Sequence, residues 1–200
     1  MLSSRCILVL GGARSGKSRF AQKMVEGLSE KVLFVATAEG LDEEMRARIQ
    51  EHRRTRPPKW RTVEAPRAVA EFVRQNLEEA EVVLVDCVTL LVSNLLTGGS
   101  DSGQPGCEHF VVGEVRGLIK LMDEAGATFV IVSNEVGLGL VPDNALGRDY
   151  RDILGKVNQM LSARADEVYF MVSGIPLKVK DRISTAPLLS LLERLQNTTL

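Results

Sequence analysis

Five short runs of the chain are almost entirely apolar and rich in Val, Ile and Phe. They cover residues 6–10, 32–36, 82–86, 128–133 and 167–172. None of them alternates between apolar and polar positions, as a strand with one face in water would. Strands that are apolar throughout are typical of a parallel sheet with both faces covered. The pattern therefore predicts buried strands in such a sheet.

The segments between these runs have helical spacing, with apolar residues recurring every three or four positions. Such segments span residues 18–28, 67–79, 110–124 and 144–165. Gly126 follows the third, where the end of a helix favours a residue with positive φ. Strands and helices that alternate along the chain predict an α/β fold, with a mostly parallel central sheet and helices on both faces.

The composition sets the expected domain organisation. A chain of 200 residues and 21.9 kDa has the size of one domain, which we expect over residues 1–180. Residues 181–200 are expected to form a C-terminal tail, with either a short helix at 187–195 or a frayed end. The Gly- and Ser-rich residues 97–106 predict a mobile surface loop.

Charge and cysteine content exclude several classes of protein. Hydrophobic residues make up 44% and charged residues 26% of the chain, which argues against wholesale disorder. The 25 Lys and Arg balance 26 Asp and Glu, so no net charge attracts nucleic acid or a membrane. Three dispersed cysteines suit a reducing compartment. No run approaches the ~20 apolar residues of a membrane span, so we expect a cytoplasmic protein without membrane insertion.

The strongest chemical signal follows the first predicted strand and opens the first predicted helix. It matches G-x-x-x-x-G-K-[ST] and reads Gly11, Gly12, Ala13, Arg14, Ser15, Gly16, Lys17 and Ser18. Glycines let successive N–H groups point into one cavity, and the helix N-terminus adds positive charge for phosphate oxygens. Lys17 is expected to reach the β- and γ-phosphates, and the Ser18 hydroxyl to ligate Mg²⁺.

A carboxylate at the end of another strand completes such a site. Asp86 ends the run 82–86, where it is expected to hold Mg²⁺ through water. The alternative is an Asp that only caps the following segment. The phosphate-binding motif favours the metal role.

His52 lies in a predicted helix over residues 41–54, with acidic residues in its first turn and arginines in its last. Leu41, Met45, Ile49 and His52 recur at helical spacing, so His52 extends an inward or cleft-facing stripe. Arginines follow it directly, and guanidinium groups can clamp the oxygens of a transferring phosphoryl group. The spacing alone leaves two interpretations open: a polyphosphate site, or a solvated helix end.

Other nucleotide-binding classes fit the chain poorly. A switch GTPase would show an N-K-x-D segment, and the nearest stretch, residues 133–137, reads S-N-E-V-G. A motor or recombinase-like ATPase needs a longer chain and a basic face for DNA. The acceptor of the phosphoryl group is not identified by these motifs.

Several motifs taken together resemble one family. They are GGARSGKS at 11–18, A-T-A at 36–38, R-I-x-x-H-R-x-x-R-P at 48–57, W-R-T-V-E at 60–64, D-C-V-T at 86–89 with N-L-L at 94–96, S-N-E-V-G at 133–137 with V-P at 141–142, and S-G-I-P at 173–176. Over about residues 7–180, the chain resembles the bifunctional adenosylcobinamide kinase / adenosylcobinamide-phosphate guanylyltransferase family of cobalamin biosynthesis. The joint occurrence of these motifs is more specific than a phosphate loop alone.

The resemblance implies a RecA-like P-loop fold, a homotrimer and two reactions. Adenosylcobinamide is phosphorylated from ATP or GTP, and GMP then passes from GTP through a guanylyl-histidine to adenosylcobinamide phosphate, with release of pyrophosphate. The histidine of the family falls on His52, so His52 and Lys17 are the expected catalytic residues, with Ser18 and Asp86 as the metal-binding pair inferred above from the motif and the strand end. The nucleotide-binding positions that it implies are Gly11 to Ser18, Ala36, Thr37, Ala38, Arg53, Arg54, Thr55, Arg56, Glu64 and Asp86.

Two alternatives remain at this point. The chain could be a small-molecule P-loop kinase without guanylyl transfer, or a nucleotide-binding switch or regulatory subunit without transfer chemistry. The corrinoid pocket is not located by any motif. Residues 137–144 and 88–96 are candidates because they follow strand ends, where open parallel sheets bind ligands.

Overall fold

A computed structural model describes residues 5–40, 42–54, 56–98 and 107–181. The strands are β1 Cys6–Gly11, β2 Val32–Ala36, β3 Arg61–Glu64, β4 Val82–Asp86, β5 Thr128–Val132, β6 Glu167–Val172 and β7 Ile175–Lys180. The helices are α1 Lys17–Glu26, α2 Glu43–Arg54, α3 Val69–Asn76, α4 Val88–Thr97, α5 Cys107–Glu124 and α6 Ala145–Arg164.

The strands form one sheet in the order β3-β2-β4-β5-β1-β6-β7. Every neighbouring pair is parallel except β6 and β7, which form an antiparallel hairpin. The carboxyl ends of the parallel strands therefore meet at one side of the sheet, called here the carboxyl edge. Open parallel sheets bind their ligands at this edge.

The interior strands of the sheet are buried on both faces, which confirms the α/β prediction. Along β2, Leu33 and Val35 pack into one core, while Phe34 and Ala36 pack into the other. The first core contains side chains of α3, α4, α5 and α6, and the second contains side chains of α1. Burial on both faces explains why β2 and β5 are apolar at every position except Thr128.

The five predicted strands are all present, and the predicted helices are present with shifted ends. The helix expected at 67–79 spans Val69–Asn76, and Gly126 has φ +65° after α5, as predicted. Strands β3 and β7 and helix α4 were not predicted. Among the described residues, no helix is both long and apolar enough to cross a membrane. The tail after Asp181, residues 99–106, Leu41 and Thr55 lie outside the described residues.

Candidate active site

The phosphate loop joins β1 to α1, and neighbouring backbone fixes its shape. Gly11 has φ +150°, and a Cβ there would lie 2.6 Å from the Met171 carbonyl oxygen on β6. Gly16 precedes α1 in the left-handed region, with φ +91°. The N–H of Gly174, in the turn after β6, donates to the Ser15 carbonyl at 3.0 Å. Glycine is therefore required at Gly11 by contact with the adjacent strand as well as by conformation.

Lys17 is buried at the start of α1, with its amino group folded over the loop. Its Nζ donates to the Gly12 carbonyl at 2.6 Å and lies 3.5 Å from Ser15 Oγ. Burial lowers the pKa of Lys17, and the neighbouring Cys87 and Asp86 oppose that effect. A desolvated amino group at this position is placed to exchange its internal bond for phosphate oxygens.

Asp86 ends β4 beside the phosphate loop, with the Ser18 hydroxyl close to its carboxylate. Burial raises the pKa of Asp86, whereas the Ser18 hydroxyl and the charges of His52, Arg56 and Lys17 act in the opposite direction. The predicted metal pair is thus close together, and Lys17, His52 and Arg56 lie near it.

This donor set fits Mg²⁺ bound together with a nucleotide. Magnesium commonly takes one or two protein oxygens and completes its octahedron with water and phosphate oxygens. The Ser18 hydroxyl and the Asp86 carboxylate supply that number. Within the described ranges, no group of three or more His, Cys, Asp or Glu side chains could hold a metal without such help.

Three further predicted residues lie near Asp86 at the carboxyl edge. Ala36 is in register with both Asp86 and Glu64 on the adjacent strands. Thr37 is fully buried, and its hydroxyl donates to the Cys87 carbonyl at 2.6 Å and accepts from the Cys87 N–H at 2.9 Å. The Thr37 side chain therefore joins the ends of β2 and β4.

Asn94 holds the same strand ends from α4. Its Nδ2 donates to the carbonyls of Thr37, at 2.8 Å, and Pro66, at 3.0 Å. Sequence reasoning gave Asn94 no role beyond a place in the N-L-L motif. A buried Asn within an otherwise apolar helix is the signal that could have identified it.

His52 lies near the phosphate loop, on α2. The described side chains of α2 are exposed or half-buried, and the exposed His52 lines a cavity of about 380 Å³ together with Ser18. This first cavity is also lined by Arg19, Gln22, Lys23, Glu26 and Glu51. The structure therefore brings the predicted nucleophile and the predicted metal residue to one space between α1 and α2.

The arginines after His52 line a second cavity, of about 480 Å³. Its walls are Arg53, Arg56, Pro57, Pro58, Trp60, Thr62 and Glu64. Arg53 forms an ion pair with Glu64, and the Arg56 guanidinium lies 3.8 Å from the Phe34 ring centre. Among the described residues, Arg56 Nε and Trp60 Nε1 are buried without hydrogen-bond partners.

The remaining predicted residues lie at the margins of the site, and most of them are exposed to solvent. Ala13 and Arg14 are exposed on the phosphate loop, Ala38 is half-buried after β2, and Arg54 is exposed and forms an ion pair with Glu51 at 3.8 Å. Of the two corrinoid candidates, residues 88–96 lie in α4, whose apolar side chains mostly pack into the core. Residues 137–144 remain at the carboxyl edge as exposed or half-buried chain.

Comparison with known proteins identifies the family. Residues 7–179 match the model of a family described as cobinamide kinase / cobinamide phosphate guanyltransferase. The chain belongs to this family. The match covers the phosphate loop, α2 and the β6–β7 hairpin, so the motifs that suggested the resemblance all lie inside it.

Curated relatives agree over nearly their whole length. The bifunctional adenosylcobalamin biosynthesis protein CobU of Escherichia coli is 46% identical over 180 residues, which cover 87% of this chain and 99% of that protein. CobU of Salmonella typhimurium is 44% identical with the same coverage. CobP of Pseudomonas aeruginosa is 42% identical over 86% of this chain and 96% of that protein.

A solved structure supports the fold. A KaiC-like protein from the archaeon Pyrococcus horikoshii aligns with a TM-score of 0.52 and 14% sequence identity, over 92% of this chain and 82% of that chain. At this identity the similarity concerns the fold alone. It agrees with the α/β arrangement expected of a RecA-like P-loop domain.

Proposed function

We propose that the chain catalyses two successive reactions of cobalamin biosynthesis at one nucleotide site. In the first, a hydroxyl oxygen of adenosylcobinamide attacks the γ-phosphorus of ATP or GTP, and the nucleoside diphosphate leaves. In the second, an imidazole nitrogen of His52 attacks the α-phosphorus of GTP, and pyrophosphate leaves. A phosphate oxygen of adenosylcobinamide phosphate then displaces His52 and yields adenosylcobinamide-GDP.

The observation that carries the histidine step is the cavity shared by His52 and Ser18. A nucleophile must come within bonding reach of phosphorus, so it must share a space with the bound polyphosphate. The electrostatic effect of His52 on Asp86 supports the same closeness. Covalent catalysis then divides one difficult displacement into two easier ones.

The phosphate loop serves both reactions in this proposal. Lys17 and the loop N–H groups stabilise charge on the β- and γ-phosphate oxygens during phosphoryl transfer. The same groups stabilise the departing pyrophosphate during guanylyl transfer. Mg²⁺, held by Ser18 and Asp86, would neutralise phosphate charge in both steps.

The second cavity offers groups for the parts of GTP that lie beyond the phosphate loop, namely its remaining phosphate oxygens and its purine base. Arg53 and Arg56 offer guanidinium groups to phosphate oxygens, while the Glu64 carboxylate can accept hydrogen bonds from a purine N–H. A homotrimer and a cytoplasmic location belong to the same proposal and rest on the family resemblance.

Intact-mass measurement after incubation with Mg²⁺ and GTP tests the histidine step. We expect an acid-labile gain of one GMP, absent in His52→Asn, which retains phosphorylation of adenosylcobinamide. Lys17→Ala should lower both activities by about 100-fold or more, because both use the same phosphate contacts.

The chain offers a matched control, since it contains two histidines. His109→Asn changes an exposed histidine on α5 and should leave both activities and the adduct intact. Loss of the adduct in His109→Asn, or its persistence in His52→Asn, would contradict the assignment. Phosphorylation without any adduct would reduce the function to that of a kinase.

A further inference from the structure

Among the described residues, five of the ten exposed large apolar side chains lie in two segments that adjoin the phosphate loop. Leu138, Leu140 and Val141, between β5 and α6, are 81%, 96% and 60% exposed. Val172 and Ile175, on either side of the β6–β7 turn, are 45% and 63% exposed. These five residues are called here the apolar rim.

Both parts of the apolar rim are joined to the phosphate loop by backbone hydrogen bonds. Shortly before Leu138, the N–H of Glu135 donates to the Gly11 carbonyl at 3.0 Å. Between Val172 and Ile175, the N–H of Gly174 donates to the Ser15 carbonyl at 3.0 Å. Both parts of the rim therefore adjoin, along the chain, residues that contact the loop expected to bind the nucleotide phosphates.

The segment that carries the three rim residues before α6 is held in place although it is exposed. Arg148 Nη1 donates to the carbonyls of Pro142, at 3.0 Å, and Asp143, at 2.7 Å. Asn144 caps α6 by accepting from the Gly147 N–H at 2.7 Å. These bonds fix the end of the segment while its apolar side chains stay in water. Several apolar side chains exposed on a segment that is held in this way indicate an interaction site.

We propose that the apolar rim binds the corrin macrocycle of the phosphoryl acceptor. This inference rests on the proposed function, which makes the acceptor a corrinoid. The hydroxyl of the acceptor has to reach the γ-phosphate, so the body of that molecule must bind next to the phosphate loop. A corrin ring presents broad apolar faces with polar amides at its periphery. An exposed apolar surface adjoining an anion site matches both requirements.

Substitution of rim residues tests this assignment. Leu140→Ser and Ile175→Ser each remove apolar contact without disturbing a core, and each should raise the KM for cobinamide by roughly tenfold. Binding of cobinamide, followed by equilibrium dialysis, should weaken by the same factor. The KM for ATP and the guanylylation of His52 by GTP alone should not change.

The matched control is Val179→Ser. Val179 lies on β7 with 63% of its surface exposed, as Ile175 does, but about 13 Å further along the strand. It should bind cobinamide like the unsubstituted protein. Sedimentation of all the variants, compared with the unsubstituted protein, reports whether the rim is instead an interface between copies of the chain.

Unchanged cobinamide binding in both rim variants would overturn the inference. A raised KM for ATP would assign the rim to the purine base, and a changed association state would assign it to a second copy; either result refutes corrin binding. If the unsubstituted protein binds cobinamide without phosphorylating it, the proposed function fails and the rim can still be judged by dialysis. If it binds no cobinamide, both fail.

Discussion

Replacing Gly11 with alanine should damage stability and both activities together. Gly11 pairs with Met171 where β1 meets β6, and an added Cβ would lie 2.6 Å from the Met171 carbonyl oxygen and 2.8 Å from Ser15 Oγ. Alanine at φ +150° costs about 1–3 kcal/mol in backbone strain. Moving β1 and β6 apart to admit a methyl group costs about 1–3 kcal/mol more.

We therefore expect Gly11→Ala to lower the free energy of unfolding by about 3 kcal/mol. For a chain of this size the Tm falls by roughly 6–12 °C. Calorimetry without nucleotide measures this shift. Phosphorylation and guanylylation should decline by similar factors, because both use the loop that Gly11 shapes.

Gly12→Ala is the matched control. A Cβ on Gly12 meets nothing within 4 Å, so the Tm without nucleotide should stay within about 2 °C of the original, as for substitutions that disturb no packing. If Gly11→Ala melts within the same interval, contact with Met171 does not restrict the loop and the reasoning is wrong.

Three further predictions concern groups outside the phosphate loop. Asn94→Ala leaves the Thr37 and Pro66 carbonyls without their donor and should cost about 2–4 kcal/mol in urea unfolding; a loss below about 1 kcal/mol would contradict this. Burial raises the pKa of Glu167, but hydrogen bonds from Lys178 and Tyr169 outweigh it and set that pKa below its ordinary value of 4.5. Ionised Glu167 thus stabilises the fold above pH 4.5, so Glu167→Gln should cost about 1 kcal/mol at pH 7. This cost should shrink as the pH falls below 4.5 and through the lowered pKa; a difference that does not depend on pH would count against it. Desolvation raises the pKa of Cys87 to about 11, which leaves about one thousandth of it as thiolate at pH 8. Peptide mapping after brief iodoacetamide treatment at about pH 8 should find Cys87 unmodified in the folded protein, and rapid alkylation would contradict so high a pKa.

The interior of the fold could be predicted from the sequence, and its edges could not. Interior strands such as β2 are apolar on both faces. A run of consecutive apolar residues can be recognised in the sequence of the strand itself, without knowing which strands pair with it. Strand β3 has the polar sequence R-T-V-E and is exposed at three of its four positions, because it pairs on one side only. Helix α4 follows β4 after one residue, Cys87, so its apolar residues continue those of the strand and conceal the change of period.

The candidate site shows the same division between local and long-range features. Lys17 and Ser18 belong to a contiguous motif, and the end of an apolar run identified Asp86. The shared cavity of His52 and Ser18 depends on where α2 lies relative to α1, which neither helix specifies alone. The bond between Gly174 and Ser15 likewise joins segments far apart in the chain, and no local pattern records such a pairing.

Helix α2 carries the proposed nucleophile, yet none of its described side chains is fully buried. The transfer chemistry therefore rests on an element that hardly contributes to folding, whereas the phosphate loop is inseparable from the β1–β6 pairing. An engineer could redesign α2 to accept a different nucleotidyl group, or remove its reactivity altogether, and keep an intact kinase. The phosphate loop, by contrast, cannot be removed without disturbing the pairing of β1 with β6, so a guanylyltransferase without this loop is not expected to fold.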